Sequence, residues 1–273
     1  MKEENATSWE EFEKILHQIE GVRQNAHEQS GLWVSDLLYR GQADSRWRLE
    51  TTLERSVSKP VGLNEYYMLI EQAKAPIESF TDKSWKIPTF EEYLKWLQSD
   101  PVTPLLYDAY EYFIYLRHHG FPSPLLDWTA SPYVAAFFAM DKPARDVQSV
   151  SVYVFWEYTG GAKLTDHGKP AICGLGPNVR SHRRHFLQQS QYTICTAIAG
   201  EDKIYAKHED AFGNSVVVQD LRWKINIPIS SRVKFLAKLH KMNINSFSLF
   251  ATEDSLLAKL AADIFLLNPT SKG

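Results

Sequence analysis

Hydrophobic and polar positions alternate along this chain with periods that name most of its elements. Trp9, Phe12, Ile15, Leu16 and Ile19 share one helical face behind Ser8, and Glu11 completes a capping-box spacing. A helix over about 8–20 is predicted. Gly31 to Tyr39 reads as a strand that ends in Tyr39-Arg40-Gly41. Helical spacing returns over 65–80 and 90–97, with Pro88, Pro101 and Pro104 punctuating the region. Tyr107, Tyr110, Phe113 and Ile114 then predict a helix over about 105–117, stopped at His118-His119-Gly120 by a glycine suited to a left-handed cap.

Ser131-Pro132 restarts a helix that runs through Tyr133 to Met140, with proline in its first turn. Val150, Val152, Val154 and Trp156 alternate with Ser149, Ser151, Tyr153 and Phe155, which predicts a strand over 149–157. Tyr192–Ala199 and Ser215–Asp220 read as two more strands. Two helices close the chain, the last carrying Leu256, Leu257, Leu260, Ala261, Ile264 and Phe265 on an amphipathic pattern. No repeat, linker or low-complexity tract interrupts this order. The expected architecture is one α+β domain spanning 1–273, with helices flanking a mostly antiparallel sheet.

Composition narrows the class. The chain has 273 residues, enough to bury a core without disulfides or metal. Its 8 Trp, 13 Tyr and 14 Phe are an unusually large aromatic share, 13%. A net charge of −3 rules out a whole-protein electrostatic grip on nucleic acid and leaves room only for a local basic patch. Cys173 and Cys195 make neither a disulfide framework nor a metal-ligand spacing. The N-terminus lacks a signal-peptide apolar region, and the densest apolar run, Tyr133 to Met140, is far short of a bilayer span. A cytoplasmic protein with no membrane partner is expected.

Four segments have the residue types for chemistry. In Tyr39-Arg40-Gly41-Gln42, an arginine ends a strand beside a glycine that leaves an open backbone position. That suits a phosphate or carboxylate bound through two parallel hydrogen bonds, or equally an internal pairing with Asp127. In His118-His119-Gly120, His118 reads as a helix-terminal residue complementing exposed carbonyls, and His119 as a candidate base or donor. Asp127-Trp128-Thr129-Ala130-Ser131 leads into a helix N-terminus, where Thr129 or Ser131 caps the helix and the other hydroxyl can meet a ligand. Arg180-Ser181-His182-Arg183-Arg184-His185 is the one clear basic cluster, a solvated face or a seat for a phosphate-bearing partner. No HExxH, CxxC, GxGxxG, Walker or GxSxG pattern is present, and no metal is expected.

These segments resemble the FRG-domain family. Tyr39-Arg40-Gly41-Gln42, with Trp47, Leu49, Leu53 and Arg55 behind it, looks like the family's opening motif. Arg117 to Thr129, then Pro132 and Ala136-Phe137-Phe138-Ala139, looks like its central one. Gln188-Gln189-Ser190-Gln191-Tyr192-Thr193 is similar to a Q-x-G-x-F element, with Ser190 where glycine is usual; Pro124 stands where a basic residue is common. Leu239 to Ile244 and then Ser248-Leu249-Phe250 look like the closing segment, so the resemblance covers about 8–265.

The order of motifs in turn resembles that of ADP-ribosyltransferases. The resemblance implies a split, mostly antiparallel sheet and an NAD-dependent enzyme, a toxin or anti-phage effector modifying nucleic acid (RNA first) or protein. Arg40, Asp127 and Gln188 would be catalytic. Tyr39, Arg40, Gly41, His119, Trp128, Thr129, Ser131 and Tyr192 would bind NAD. Arg180, Arg183 and Arg184 would meet the target, and an antitoxin is among the implied partners. Transfer from the ribose C1′ passes through an oxocarbenium-like state served by a carboxylate, and Gln188 is not one. Asp127, Glu201 or orientation alone would have to serve. The other reading is a non-catalytic nucleotide- or nucleic-acid-binding module. A nuclease would need clustered acids for Mg²⁺, and no convincing set appears.

Overall fold

A computed structural model describes residues 2–99, 105–160, 163, 169–180, 183–212 and 219–268. Among them are eight strands: β1 (Lys2–Asn5), β2 (Leu37–Gln42), β3 (Leu126–Thr129), β4 (Ser149–Tyr158), β5 (Ala171–Gly174), β6 (Ser190–Ala199), β7 (Asp202–Tyr205) and β8 (Gln219–Pro228). The helices of the first half are α1 (Trp9–Ser30), α2 (Thr52–Ser56), α3 (Leu63–Thr81), α4 (Phe90–Gln98), α5 (Tyr107–His118) and α6 (Pro132–Asp141). Those of the second half are α7 (Arg183–Leu187), α8 (His208–Ala211), α9 (Arg232–Lys241), α10 (Ser246–Phe250) and α11 (Glu253–Ala261).

The strands form one sheet in the order β1-β8-β4-β2-β3-β6-β5, with β7 also on β6. Every pairing is antiparallel except β1 with β8. Its middle is thin. β2 pairs with β4 from Leu37 to Gln42, and β3 with β6 from Leu126 to Thr129, yet β2 and β3 share one pair, Tyr39 with Thr129. The expected split sheet is thus a continuous one that opens between β2 and β3.

Helices cover both faces. One core joins Trp9, Phe12 and Ile15 of α1 and Phe137 and Met140 of α6 to Val150, Val152, Val154 and Ile225 of the sheet. A second gathers Tyr66, Tyr67, Tyr110, Tyr112 and Phe113 of α3 and α5 over Tyr192 and Ile194 of β6. Most of the aromatic excess is spent here, since large rings dominate core burial.

Several expectations need correction. α1 runs to Ser30 because its second half is polar and solvent-facing, with no apolar stripe to read beyond Ile19; Gly31, at φ 62°, ends it. The strand therefore begins at Leu37, and Leu32 and Trp33 are exposed. Of the strand expected over 215–220, residues 215–218 lie outside the described set; the ladder runs over 219–228, where Leu221, Trp223, Ile225 and Ile227 alternate. Three helices close the fold, and Leu256, Leu257, Leu260, Ile264 and Phe265 of the last segment are exposed.

Gly41 has a different role from the one its neighbours suggested. A Cβ there would stand 2.0 Å from Ala135 O and 2.6 Å from Ala139 N of α6. The position beside the arginine is filled by a helix backbone, and glycine is what lets α6 lie directly on β2.

Candidate functional site

Two polar centres emerge, one at the opening of the sheet and one in a surface groove. The first is built on strand alternation. Tyr39 turns into the α1–α6 core, and Arg40 turns to the other face. Arg40 Nη1 donates to the Asp127 carbonyl at 2.6 Å and lies 3.9 Å from its carboxylate. That carboxylate is held more closely by Arg117, Nη2 to Oδ2 2.5 Å, from the last turn of α5. Two guanidiniums therefore share one carboxylate. Burial pulls the Arg40 pKa down, Asp127 opposes this, and Arg117 and Arg55 add to the fall. Arginine nevertheless keeps its charge. Arg40 Nε, Arg117 Nε and Asp127 Oδ1 are buried with no hydrogen-bond partner among the described residues. The pairing of Arg40 with Asp127 is present, and positive charge is left over.

The hydroxyls and amide of the next cluster are engaged in holding the fold. Thr129 Oγ1 donates to Gln188 O at 2.7 Å and accepts from Ser131 N–H at 3.1 Å. Ser131 caps α6 by accepting from Val134 N–H. Gln188 Nε2 donates to Leu249 O at 3.1 Å. The left-handed residue of this turn is Gln189, at φ 49°, while Ser190 pairs with Thr129 in the ladder.

Tyr39, Trp128 and Tyr192 are core rings. Trp128 Nε1 donates to Thr193 Oγ1, which lies 3.0 Å from His208 Nε2. Tyr192 is fully buried, and its hydroxyl lies 2.8 Å from His118 Nε2 and 3.4 Å from His185 Nδ1. His185 Nε2–H donates to Pro177 O, so its Nδ1 accepts the Tyr192 proton and the Tyr192 oxygen accepts from His118. One hydroxyl thereby ties α5 and α7 to β6.

Those two helices wall the second centre, a groove of about 590 Å³. Among the described residues, Lys83, Arg180, Arg183 and Arg184 line it against a single carboxylate, Glu111. Trp85, Tyr115, His119 and Phe250 supply rings. The α5 end is shaped by a Schellman turn: Gly120 takes φ 85°, and Phe121 N–H reaches back to Leu116 O. His119 Nδ1–H donates to Tyr115 O, which lays the imidazole on the Tyr115 ring at 4.0 Å, with Trp85 4.4 Å beyond. Lys83 Nζ stands 4.8 Å over Tyr115, and Arg184 5.5 Å over Phe250. Cations beside ring faces, in a groove of this size, suit a ligand with phosphates and a flat heterocycle.

The expected site residues thus fall into separate places. His119 joins Arg180, Arg183 and Arg184 in the groove; Ser181 and His182 lie outside the described residues. Arg40 and Asp127 meet at the sheet opening, Thr129 and Gln188 at a turn. Sequence reasoning missed Lys83, Trp85, Glu111, Tyr115, Phe250 and the part played by Arg117. Glu111 and Tyr115 left a signal as an i, i+4 step on α5, and Arg117 and Phe250 stood in motifs with no site role attached. Among the described residues no group of three or more His, Cys, Asp or Glu side chains is placed to hold a metal, and no helix is long and apolar enough to cross a membrane.

Comparison with known proteins gives one finding. The family model of the FRG domain matches residues 35–148, the stretch from β2 through α6 that carries Arg40, Arg117, His119 and Asp127. No curated protein and no solved structure matches the chain.

Proposed function

Taking the FRG domain over residues 35–148 as the scaffold, we propose that this protein binds a nucleotide, free or within a nucleic acid, through its basic and aromatic groove. The observation that carries the reading is the concentration of Lys83, Arg180, Arg183 and Arg184 against Glu111 alone, on a chain whose net charge is −3. The exposed imidazole of His119, stacked on Tyr115, stands beside those cations, where a base would stack while its phosphate is held. The test is titration of labelled NAD, ATP and short oligonucleotides into the purified protein, with Lys83→Gln and Arg183→Gln as controls. Saturable binding that both substitutions weaken supports the reading. Absence of binding to every nucleotide class overturns it.

A second reading is ADP-ribosyl transfer from NAD, and it draws on the Arg40–Asp127–Arg117 centre. Two largely buried guanidiniums sharing one carboxylate have spare capacity for a pyrophosphate, and Asp127 is a carboxylate of the kind an oxocarbenium-like C1′ needs. In that reaction the C1′–N bond breaks, nicotinamide leaves with the bonding pair, and a target hydroxyl or amine forms the new bond to C1′ and gives up its proton to solvent. Nicotinamide release with RNA, DNA or protein present, lost in Arg40→Lys, supports it. Nucleotide binding without release for any target leaves the first reading alone.

A further inference from the structure

The groove does not stop at its own rim. On α5, Glu111 and Tyr115 line it, and Tyr107, one turn before Glu111 on the same face, continues the row and is 69% exposed. On α7, Arg183 and Arg184 line it, and Phe186, one turn after Arg183, is 82% exposed. Rings thus extend past the cationic centre on both walls. From Tyr107 to His119 the α5 row covers roughly 18 Å at the helical rise. A stacked strand advances only about 3.4 Å per nucleotide, so the row outlasts a mononucleotide.

We infer that the groove's ligand is a single-stranded polynucleotide, laid along α5 with its bases on the rings and its phosphates on Lys83, Arg180, Arg183 and Arg184. The inference rests on the nucleotide reading above and specifies its substrate class. Two features favour a single strand over a duplex. The exposed rings of His119 and Phe186 offer faces to unstacked bases, which a duplex keeps inside. The cations of the groove share its lining with His119, as a strand with alternating phosphates and bases requires.

The experiment is fluorescence anisotropy on the full chain with a labelled ten-nucleotide RNA, the DNA of the same sequence, and each as a duplex. AMP and NAD serve as competitors. Single strands are expected to bind at least tenfold more tightly than duplexes, and the RNA and DNA arms distinguish which sugar the groove takes. His119→Ala and Phe186→Ala, both surface substitutions, are each expected to weaken binding by about 5- to 150-fold, the range for a lost base-stacking platform. Their effect should leave the salt dependence intact. Arg183→Gln should instead reduce the slope of log K against log salt by about 0.7, the share of one phosphate contact on a single strand. Melting curves confirm that each variant is folded. Duplexes binding as tightly as single strands, or stacking variants without effect, overturn the inference. If AMP competes as strongly as the ten-nucleotide strand binds, the groove is a mononucleotide pocket, and the inference fails while the nucleotide reading stands. If nothing binds, both fall.

Discussion

The hydroxyl of Tyr192 lies 2.8 Å from His118 Nε2, joining the buried first half of β6 to the end of the helix that forms one wall of the groove. His185 reaches the same hydroxyl from the other wall. Tyr192→Phe removes the oxygen shared by the half-buried His118 and the buried His185, and the cost falls on the buried His185 nitrogen. An unpaired buried polar group costs about 1–3 kcal/mol, so a lower urea midpoint with an unchanged slope is expected. Ligand affinity of the groove should fall as well, since its walls lose their shared tie. An unchanged midpoint would contradict this.

Gly41 should be intolerant of even one methyl group. The added Cβ meets α6 backbone atoms, which cannot rotate away as a side chain would. Gly41→Ala is expected to destabilise by about 3 kcal/mol, the upper end for overpacking, measured by chemical denaturation. A near-neutral effect would show that α6 can lift off β2 freely.

Asp127 holds two arginines in place, and its removal should be felt through Arg117 above all. Breaking a buried ion pair costs about 3–5 kcal/mol; Asp127 is about one-third exposed, which discounts that to about 1–3. A double-mutant cycle of Asp127→Asn with Arg117→Met should return a coupling of about 1 kcal/mol or more. Additive effects would mean that the contact contributes nothing to stability.

Lys163 is paired with Asp220 and Glu157 in a nearly buried cluster beside β5. Burial pushes the Asp220 carboxyl up to about 6, against the partial relief from Lys163. The folded chain then holds this proton more tightly than the unfolded chain. Its contribution to stability is greatest below the unfolded value near 4 and declines as pH rises through about 6. Glu3, Asp44 and Asp263, with lowered pKa values, act in the opposite sense, each chiefly through side-chain hydrogen bonds. The measurement is therefore a difference: Asp220→Asn should gain relative stability over the parent between pH about 4 and about 6.5. Asparagine also accepts the left-handed backbone at this residue, φ 50°. A pH-independent difference would refute the assignment.

Elements with a strong local period were readable from the chain. The helix over 132–140 and the strand over 149–157 each match the structure within one residue, because capping residues and alternation are local properties. β1, Lys-Glu-Glu-Asn, was invisible: it is strand only because β8 offers an edge to pair with. The same divide runs through the candidate sites. Arg40 and Asp127 stood out as local motifs, but Arg117's claim on Asp127 depends on where α5 ends. Lys83, Tyr115, Arg183 and Phe250 come from four distant stretches, and nothing short of the fold places them around one groove.

The single pair Tyr39–Thr129 at the middle of the sheet has a further meaning for the chain as a whole. On one side of it stand β1, β8, β4 and β2, on the other β3, β6, β5 and β7. The chain enters the first group at its beginning, crosses to the second at β3, returns for β4, crosses again for β5 to β7, and ends the sheet back in the first group at β8. The seam in space has no counterpart in sequence. Any one cut leaves strands of both groups on at least one fragment, so the two half-sheets are interleaved in the chain and cannot be expressed as independent pieces.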